Sequence, residues 1–217
     1  MGRITRKSKG SYQHGSLKEA LLQAALAAIK KNGEVNFTLR ELARVVNVTP
    51  MAAYRHFTSK HEILLELAKT GFVKLSEAFE TSLQKDPLNL AALGRAYIQF
   101  ALDNPNYFRV MFHPDVCVSS KHQEPQHEER KAFEILMNCV QQNQMQGRFT
   151  TTSTEVLAIS AWSTVHGLAS LLVNQNLDPA FSNSADNRKI LIDGVTELAL
   201  QGFYKREEQN SEQKSSI

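Results

Sequence analysis

The sequence predicts an all-α protein, and three observations predict it. Ser or Thr followed three residues later by Glu, or Thr followed directly by Pro, stands at the head of successive apolar stretches, which is how helices begin. Apolar residues return at spacings of three and four. No segment alternates apolar and polar side chains as a half-buried strand does.

Taken in order, Ser16-Leu17-Lys18-Glu19 is a capping box. The run that follows, from Ala20 through Ile29, is apolar on most faces, and Asn32-Gly33 closes it. Thr38-Leu39-Arg40-Glu41 is a second box, opening a short helix with Leu39, Leu42, Ala43 and Val46 on one face. Thr49-Pro50 opens a third, with proline where its missing N–H is harmless. Ser59-Lys60-His61-Glu62 is a further box, ahead of a longer helix through Ile63, Leu64, Leu67 and Ala68. Later breaks at Asp86-Pro87, Asn104-Pro105, 113–125, Gln146-Gly147 and Asn176–Asp186 leave helices near 88–103, 105–112, 125–146, 153–175 and 186–205. The expected organisation is a disordered basic arm (1–13), a three-helix domain (14–60), a helical-bundle body (61–205) and a disordered tail (206–217).

Composition narrows the function classes. With 42% hydrophobic and 22% charged residues, the chain can bury a core, so wholesale disorder is excluded. Two cysteines, Cys117 and Cys139, fit no disulfide framework and suit a reducing cytoplasm, the expected location. Residues 1–74 hold 13 Lys+Arg against 5 Asp+Glu, a net of +8; the remainder holds 12 against 17, a net of −5. A basic third on an acidic body points one end toward a polyanion. Val156–Leu177 carries no charge over a length that could cross a bilayer. Ser160, Ser163, Thr164, His166, Ser170 and Asn174 interrupt it, so a buried helix is expected and no membrane partner. The basic start before Leu21–Ile29 mimics a signal peptide, but Lys18, Glu19 and Gln23 break the apolar run.

Residues 38–57 carry the function. Two short helices joined by Val46-Asn47-Val48 have helix-turn-helix spacing. Ala43 is small where the helices approach, and Asn47 stands where the turn needs a positive φ. Val48 and Phe57 are expected to bury against Leu42 and Leu39. That leaves Pro50, Met51, Ala53, Tyr54 and His56 on an outer face narrow enough for a major groove.

On these residues the chain resembles the TetR family of bacterial transcriptional regulators. The resemblance runs through Tyr12-x-His14-Gly15-x-Leu17, Phe37-Thr38-Leu39-Arg40-Glu41-Leu42-Ala43 and Val48-Thr49-Pro50-x-Ala52-x-Tyr54-Arg55-His56-Phe57-x-Ser59-Lys60. Asn47 stands where that family usually has Gly. Trp162-x-x-x-His166-Gly167 resembles a Trp-His-Gly signature of one group of its carboxy-terminal domains. The resemblance implies that Arg40 reaches a guanine edge, that Pro50, Met51, Ala52 and Ala53 lie at base-facing positions, and that Thr49 is among the DNA-binding residues. It implies phosphate contacts from Thr38, Tyr54, His56 and Lys60. Arg3, Arg6, Lys7 and Lys9 form an arm for the backbone or an adjacent minor groove. Competing readings stay open: Tyr54 as a packed tyrosine, His56 as a solvated one, Arg40 in a surface salt bridge, the arm as a solubilising tail.

The resemblance also implies a homodimer through the helices near 153–175 and 186–205, on a palindromic double-stranded operator. It implies a carboxy-terminal pocket for a small hydrophobic or amphipathic effector, with Trp162 as wall and His166 as polar anchor. Aromatic and sulfur-bearing side chains concentrate there: Phe100, Phe108, Met111, Phe112, Phe133 and Met137. Plain core packing explains the same residues equally well. His113, Asp115, Cys117, His122 and His127 match no compact zinc spacing, and no catalytic motif or cofactor-binding loop is present, so neither metal, cofactor nor enzyme activity is expected. The expected function is a ligand-released dimeric repressor. The alternative is a DNA-localised protein-interaction module without an inducer.

Overall fold

The computed structural model describes residues 14–119, 127–182 and 184–204. The arm residues Arg3, Arg6, Lys7 and Lys9, the tail from 206 and His122 lie outside them. Among the described residues the chain forms eleven helices and a single isolated bridge, Phe149 with Tyr204. The contacts gather into two compact units, Met1–Thr70 with Asn106–Gln123 and Gly71–Pro105 with Glu124–Ile217. The expected boundary after residue 60 differs from this division, which falls inside a helix and returns a later segment to the first unit.

The first unit is built on α1 (His14–Asn32), α2 (Leu39–Val45) and α3 (Pro50–Tyr54), which pack on one another. Its core contains Leu21, Ala25 and Ile29 of α1 with Leu39 and Leu42 of α2, Phe57 and Ile63, all essentially excluded from water. α1 starts at His14, so Ser16 lies within its first turn and is not the cap expected of it. Helix ends move by a residue or two wherever the preceding backbone can also turn helical. Gly33, at φ +72°, ends α1 and donates to Ile29 O at 2.9 Å.

Both halves of the Thr38 capping box form: Thr38 Oγ1 accepts from Glu41 N at 3.2 Å and Glu41 Oε2 from Thr38 N at 2.8 Å. The box at Ser59 forms only by half. Ser59 Oγ accepts from Glu62 N, but the Glu62 carboxylate passes over it to the backbone N–H and hydroxyl of Thr58, at 2.7 and 2.6 Å. The Thr58 N–H and hydroxyl both donate to it and hold the Glu62 carboxyl below its ordinary pKa. α4 follows as one continuous helix, Lys60–Leu83. The first unit closes with α6 (Pro105–Met111) and α7 (Pro114–Ser119). α7 occupies part of the expected 113–125 break: Pro114 suits a first helical position and Asp115 the positive end of a helix, signals overlooked beside the loop-forming His and Pro residues.

In the second unit α9 (Thr154–Val173) is central, packing on α5 (Leu90–Asp103), α8 (His127–Met145) and α11 (Ala185–Gln201). α9 is long and apolar enough to cross a membrane, but here it is the core helix of a bundle. A Cβ at Gly94 would stand 3.2 Å from Thr196 Cγ2 and from Val165 Cγ1, so α5 meets α11 and α9 at a position that admits no larger side chain without a shift. A short α10 (Pro179–Ser182) sits within the expected 176–186 break and packs on α11. α11 stops at Gln201, short of the expected 205. The chain beyond is drawn off by Thr150 N, which donates to Phe203 O at 2.8 Å, and by Phe149, whose ring meets those of Phe203 and Tyr204 edge-on.

The turn between α2 and α3 is set by Asn47 at φ 57°. Val48 N donates to Ala43 O at 2.9 Å and Asn47 N to Arg44 O at 3.1 Å, the paired bonds of a helix ending in one left-handed residue. Asn47→Val should cost about 1–2 kcal/mol and Asn47→Gly almost nothing, because a branched Cβ clashes at positive φ. Chemical denaturation of the three proteins checks this; equal midpoints would contradict it.

Candidate nucleic-acid interface

α3 is five residues long and anchored at both ends. Thr49 Oγ1 accepts from Ala52 N at 3.3 Å, with Pro50 at the first helical position. At the other end His56 N and Phe57 N both donate to Ala53 O, and Phe57 is buried. This orientation exposes Thr49, Pro50, Met51 (67%), Tyr54 (43%) and Arg55, with Ala52 and His56 half-exposed.

Ala53 is the correction. Expected on the outer face, it is fully buried, because it stands one turn before Phe57 on the inward side of a helix packed against α2 and α1. Its methyl contributes close packing and has no route to a base. Val48, expected in the core, is half-buried.

On α2, Arg40 and Arg44 are exposed. Thr38 is exposed too, but its hydroxyl is engaged with Glu41 as cap and donor. Lys60 is half-buried: its ammonium donates to Val35 O at 2.8 Å and lies 5.4 Å from the Phe37 ring centroid. Two or fewer of its three N–H donors are left to point outward. Arg44 and Arg55 were absent from the sequence-derived set. Their exposure beside Arg40 and Tyr54 depends on which faces α2 and α3 bury, and only the assembled unit fixes that.

The residues expected to line an effector pocket are divided between the two units. Phe108, Met111 and Phe112 belong to the first unit, with the Phe108 and Phe112 rings 5.2 Å apart, while Phe100, Phe133, Met137, Trp162 and His166 belong to the second. Aromatic clustering along the sequence carries no information on which side of a fold each helix faces. Within the second unit the Phe133 and Trp162 rings meet edge-on at 6.2 Å, and Trp162 and His166 at 6.1 Å.

Tyr97 completes that cluster. Trp162 Nε1 donates to its hydroxyl at 3.3 Å, and the hydroxyl lies 2.7 Å from His166 Nδ1. An indole only donates, so the Tyr97 oxygen accepts from Trp162 and its proton goes to Nδ1. That requires the neutral His166 tautomer with its proton on Nε2, which faces Ser170 Oγ at 3.5 Å. Burial pushes the Tyr97 phenol up and His166 down from their ordinary pKa values.

Two family models match this chain. The bacterial regulatory protein, TetR family, model covers residues 21–67, and the tetracyclin repressor-like C-terminal domain model covers 90–195. The chain belongs to the TetR family. The first match lies within the first compact unit and is the DNA-binding helix-turn-helix; the second covers a helical carboxy-terminal domain that takes in most of the second unit and the 106–123 segment of the first.

This TetR protein is 29% identical over 96 residues to an uncharacterised HTH-type transcriptional regulator, YobS, of Bacillus subtilis, and 30% identical over 96 residues to the nucleoid occlusion factor SlmA of Marinobacter nauticus. Each alignment takes in 43% of this chain, and the chain spans about half the length of these curated relatives (50% and 49%). Among solved structures it resembles a Rhodococcus protein of unknown function at a TM-score of 0.71 and 25% identity, over 91% of this chain and 100% of the other. The ketosteroid regulator KstR2 of Mycobacterium tuberculosis shares the fold at a TM-score of 0.64 and 17% identity, over 89% and 98%.

Burial of His166 is expected to make the stability of this TetR protein pH-dependent. A histidine whose folded pKa lies below its unfolded value of about 6.5 stabilises the fold above that pH, and the contribution is lost as pH falls below it. Protonation would also give Nδ1 a hydrogen where it now accepts one from Tyr97. The melting temperature should therefore fall between pH 7.5 and 5.5, and fall less in His166→Gln. Equal pH slopes in the two proteins would contradict the assignment.

Proposed function

We propose that the chain is a homodimeric, sequence-specific transcriptional repressor that acts on a palindromic operator in the cytoplasm and is released by a small apolar or amphipathic effector held in the carboxy-terminal domain. The observation that carries the DNA-binding part is the exposed α2–α3 surface of Arg40, Arg44, Met51, Tyr54 and Arg55 on a turn locked by Asn47. Met51 and Pro50 offer apolar contact to thymine methyls, and Arg40 a bidentate reach to guanine. Tyr54, Arg55 and His56 take phosphates, with Thr38, Thr49 and Lys60 at the edges and the arm residues beyond.

Tyr54→Phe and Arg55→Gln separate the roles. Loss of one neutral hydrogen bond should weaken operator binding about 2- to 12-fold with no change in salt dependence. Loss of one cation should reduce the slope of log affinity against log salt by about 0.9. If neither variant moves affinity or slope, the surface is not the interface.

Dimerisation is supported by the outward faces of α9 and α11. Val156, Ile159 and Leu171 on α9, and Ile190 (71%) and Leu198 (68%) on α11, are exposed. At Gly167 and Gly194 on the same helices an added Cβ would meet nothing. A helical glycine costs about 1 kcal/mol relative to alanine, and nothing within the protomer calls for either one. Close approach by a second copy does.

A second reading, a DNA-localised interaction module without an inducer, is favoured by one observation. The Tyr97, Trp162 and His166 polar atoms bond to one another, so that cluster offers an incoming ligand no obvious unmet partner. Co-purification of a small molecule, read by mass spectrometry of denatured protein, supports the first reading; a ligand-free preparation that captures a protein partner supports the second.

A further inference from the structure

Glu129, on the first turn of α8, loses water without gaining a partner. It is half-buried and makes no hydrogen bond or ion pair among the described residues. Burial raises its carboxyl above the ordinary pKa, with no neighbouring cation acting against the rise.

Its place in the bundle follows from register. Ala132, Leu136, Cys139 and Val140 form the buried stripe of α8, and that stripe carried back one turn reaches Glu129. α8 and α9 run antiparallel: the Phe133 ring meets that of Trp162 at 6.2 Å, and Gln144 Oε1 accepts from Thr154 Oγ1 at 2.7 Å. One turn before Phe133 stands Glu129, and one turn after Trp162 stands His166, so the acid lies level with the histidine. Phe133, Met137, Trp162 and His166 are themselves half-buried, so the ring cluster is not sealed from solvent.

The lysines and arginines of the neighbouring helices are committed elsewhere. On α8, Arg130 is exposed and Lys131 is bonded to Glu80 of α4 at 2.8 Å. Arg95 of α5 turns to Asp193, Lys74 of α4 is engaged, and α9 carries no cation. The Tyr97, Trp162 and His166 polar atoms satisfy one another. The carboxylate beside them is the group left to be met.

Building on the effector reading above, we propose that the effector is an amphipathic organic cation, its charge set against Glu129 and its apolar body against Phe133, Met137 and Trp162. Aromatic faces attract a cation, and an ammonium donates charge-assisted hydrogen bonds to a carboxylate. The body removes apolar surface from water. A neutral ligand leaves the acid unpaired, and an anion meets it with like charge. The bonds among Tyr97, Trp162 and His166 need not break.

The test uses the full chain without DNA and the emission of Trp162, the one tryptophan in the sequence. Decylammonium, decanol and decanoate share a chain and differ in one end group; each is titrated below its aggregation limit. Decylammonium should bind at least about tenfold more tightly than decanol, and decanoate more weakly than either. Glu129→Gln should cost decylammonium about tenfold or more, and leave decanol binding and the circular dichroism spectrum unchanged. Glu134→Gln, at an exposed acid of the same helix, should change neither ligand. Equal binding of decylammonium and decanol, a preference that survives Glu129→Gln, or the same loss in Glu134→Gln would overturn the cation and leave an apolar effector standing. If none of the three ligands moves the Trp162 emission, the effector reading falls and this proposal with it.

Discussion

Ile159→Glu combined with Leu198→Glu is expected to leave each protomer folded but monomeric, and to cut operator affinity about 100-fold or more. Both side chains are exposed, Ile159 on α9 and Leu198 on α11, so neither change removes core packing within the protomer. In a dimer the same positions are buried against a second copy, and an unpaired carboxylate there carries a desolvation cost of several kcal/mol. The consequence for DNA is larger than the loss of contacts. One helix-turn-helix of this size reads few bases, and a second one held at the right spacing adds a factor of about 10²–10⁴ through effective concentration. Sedimentation velocity and operator titration of the same preparations check both parts. A variant that stays dimeric, or a monomer that retains full operator affinity, would contradict the proposed arrangement. Gly167→Ala supplies the milder counterpart. Alanine should raise the stability of an isolated helix by about 1 kcal/mol, so a loss of dimer affinity there would show that the open space beside Gly167 belongs to the partner.

Phe57→Ala is expected to lower the stability of the first unit by about 3–5 kcal/mol, the range for truncating a buried phenylalanine. Phe57 is 3% exposed and its N–H holds Ala53 O, so it ties the end of α3 to the core below it. Lys18 Nζ also lies 5.8 Å from its ring centroid while bonded to Glu66 at 2.7 Å. The cavity would release that end of α3, and Tyr54, Arg55 and His56 with it. Operator binding should be lost at temperatures where the second unit is still folded. Urea denaturation followed by methyl signals from each unit would show this, and a single unshifted transition would contradict it.

Much of the first unit was legible because its signals are local. The Thr38 box, the Thr49-Pro50 start, the positive φ at Asn47 and the close of α1 at Gly33 each follow from a few adjacent residues and recur in the structure. What failed needed information from distant segments. Ala53 reads as an outer-face residue until Phe57 and α2 define the inside of a helix barely longer than one turn. The Glu62 carboxylate bonds to Thr58, one residue before the cap that the sequence pattern picks out. α11 ends where Phe149, more than fifty residues earlier, draws Phe203 and Tyr204 away.

The candidate sites divide the same way. The DNA-facing residues could be named from spacing because the motif is compact, although Arg44 and Arg55 emerged only once the buried faces were known. The unit to which each expected effector residue belongs was not legible, since Phe108 and Phe133 look alike in sequence yet belong to different units. Tyr97 is buried and bonded to His166 across 69 positions, a pairing no local pattern encodes.

The most direct test of the central claim is selection of bound fragments from the source genome by purified protein at physiological salt, followed by sequencing. A sequence-specific TetR dimer predicts an enriched palindrome whose half-sites lie about one helical turn apart, roughly 34–36 Å, or a multiple of it. No enriched sequence, with binding that disappears steeply as salt rises, would contradict it and leave only phosphate attraction.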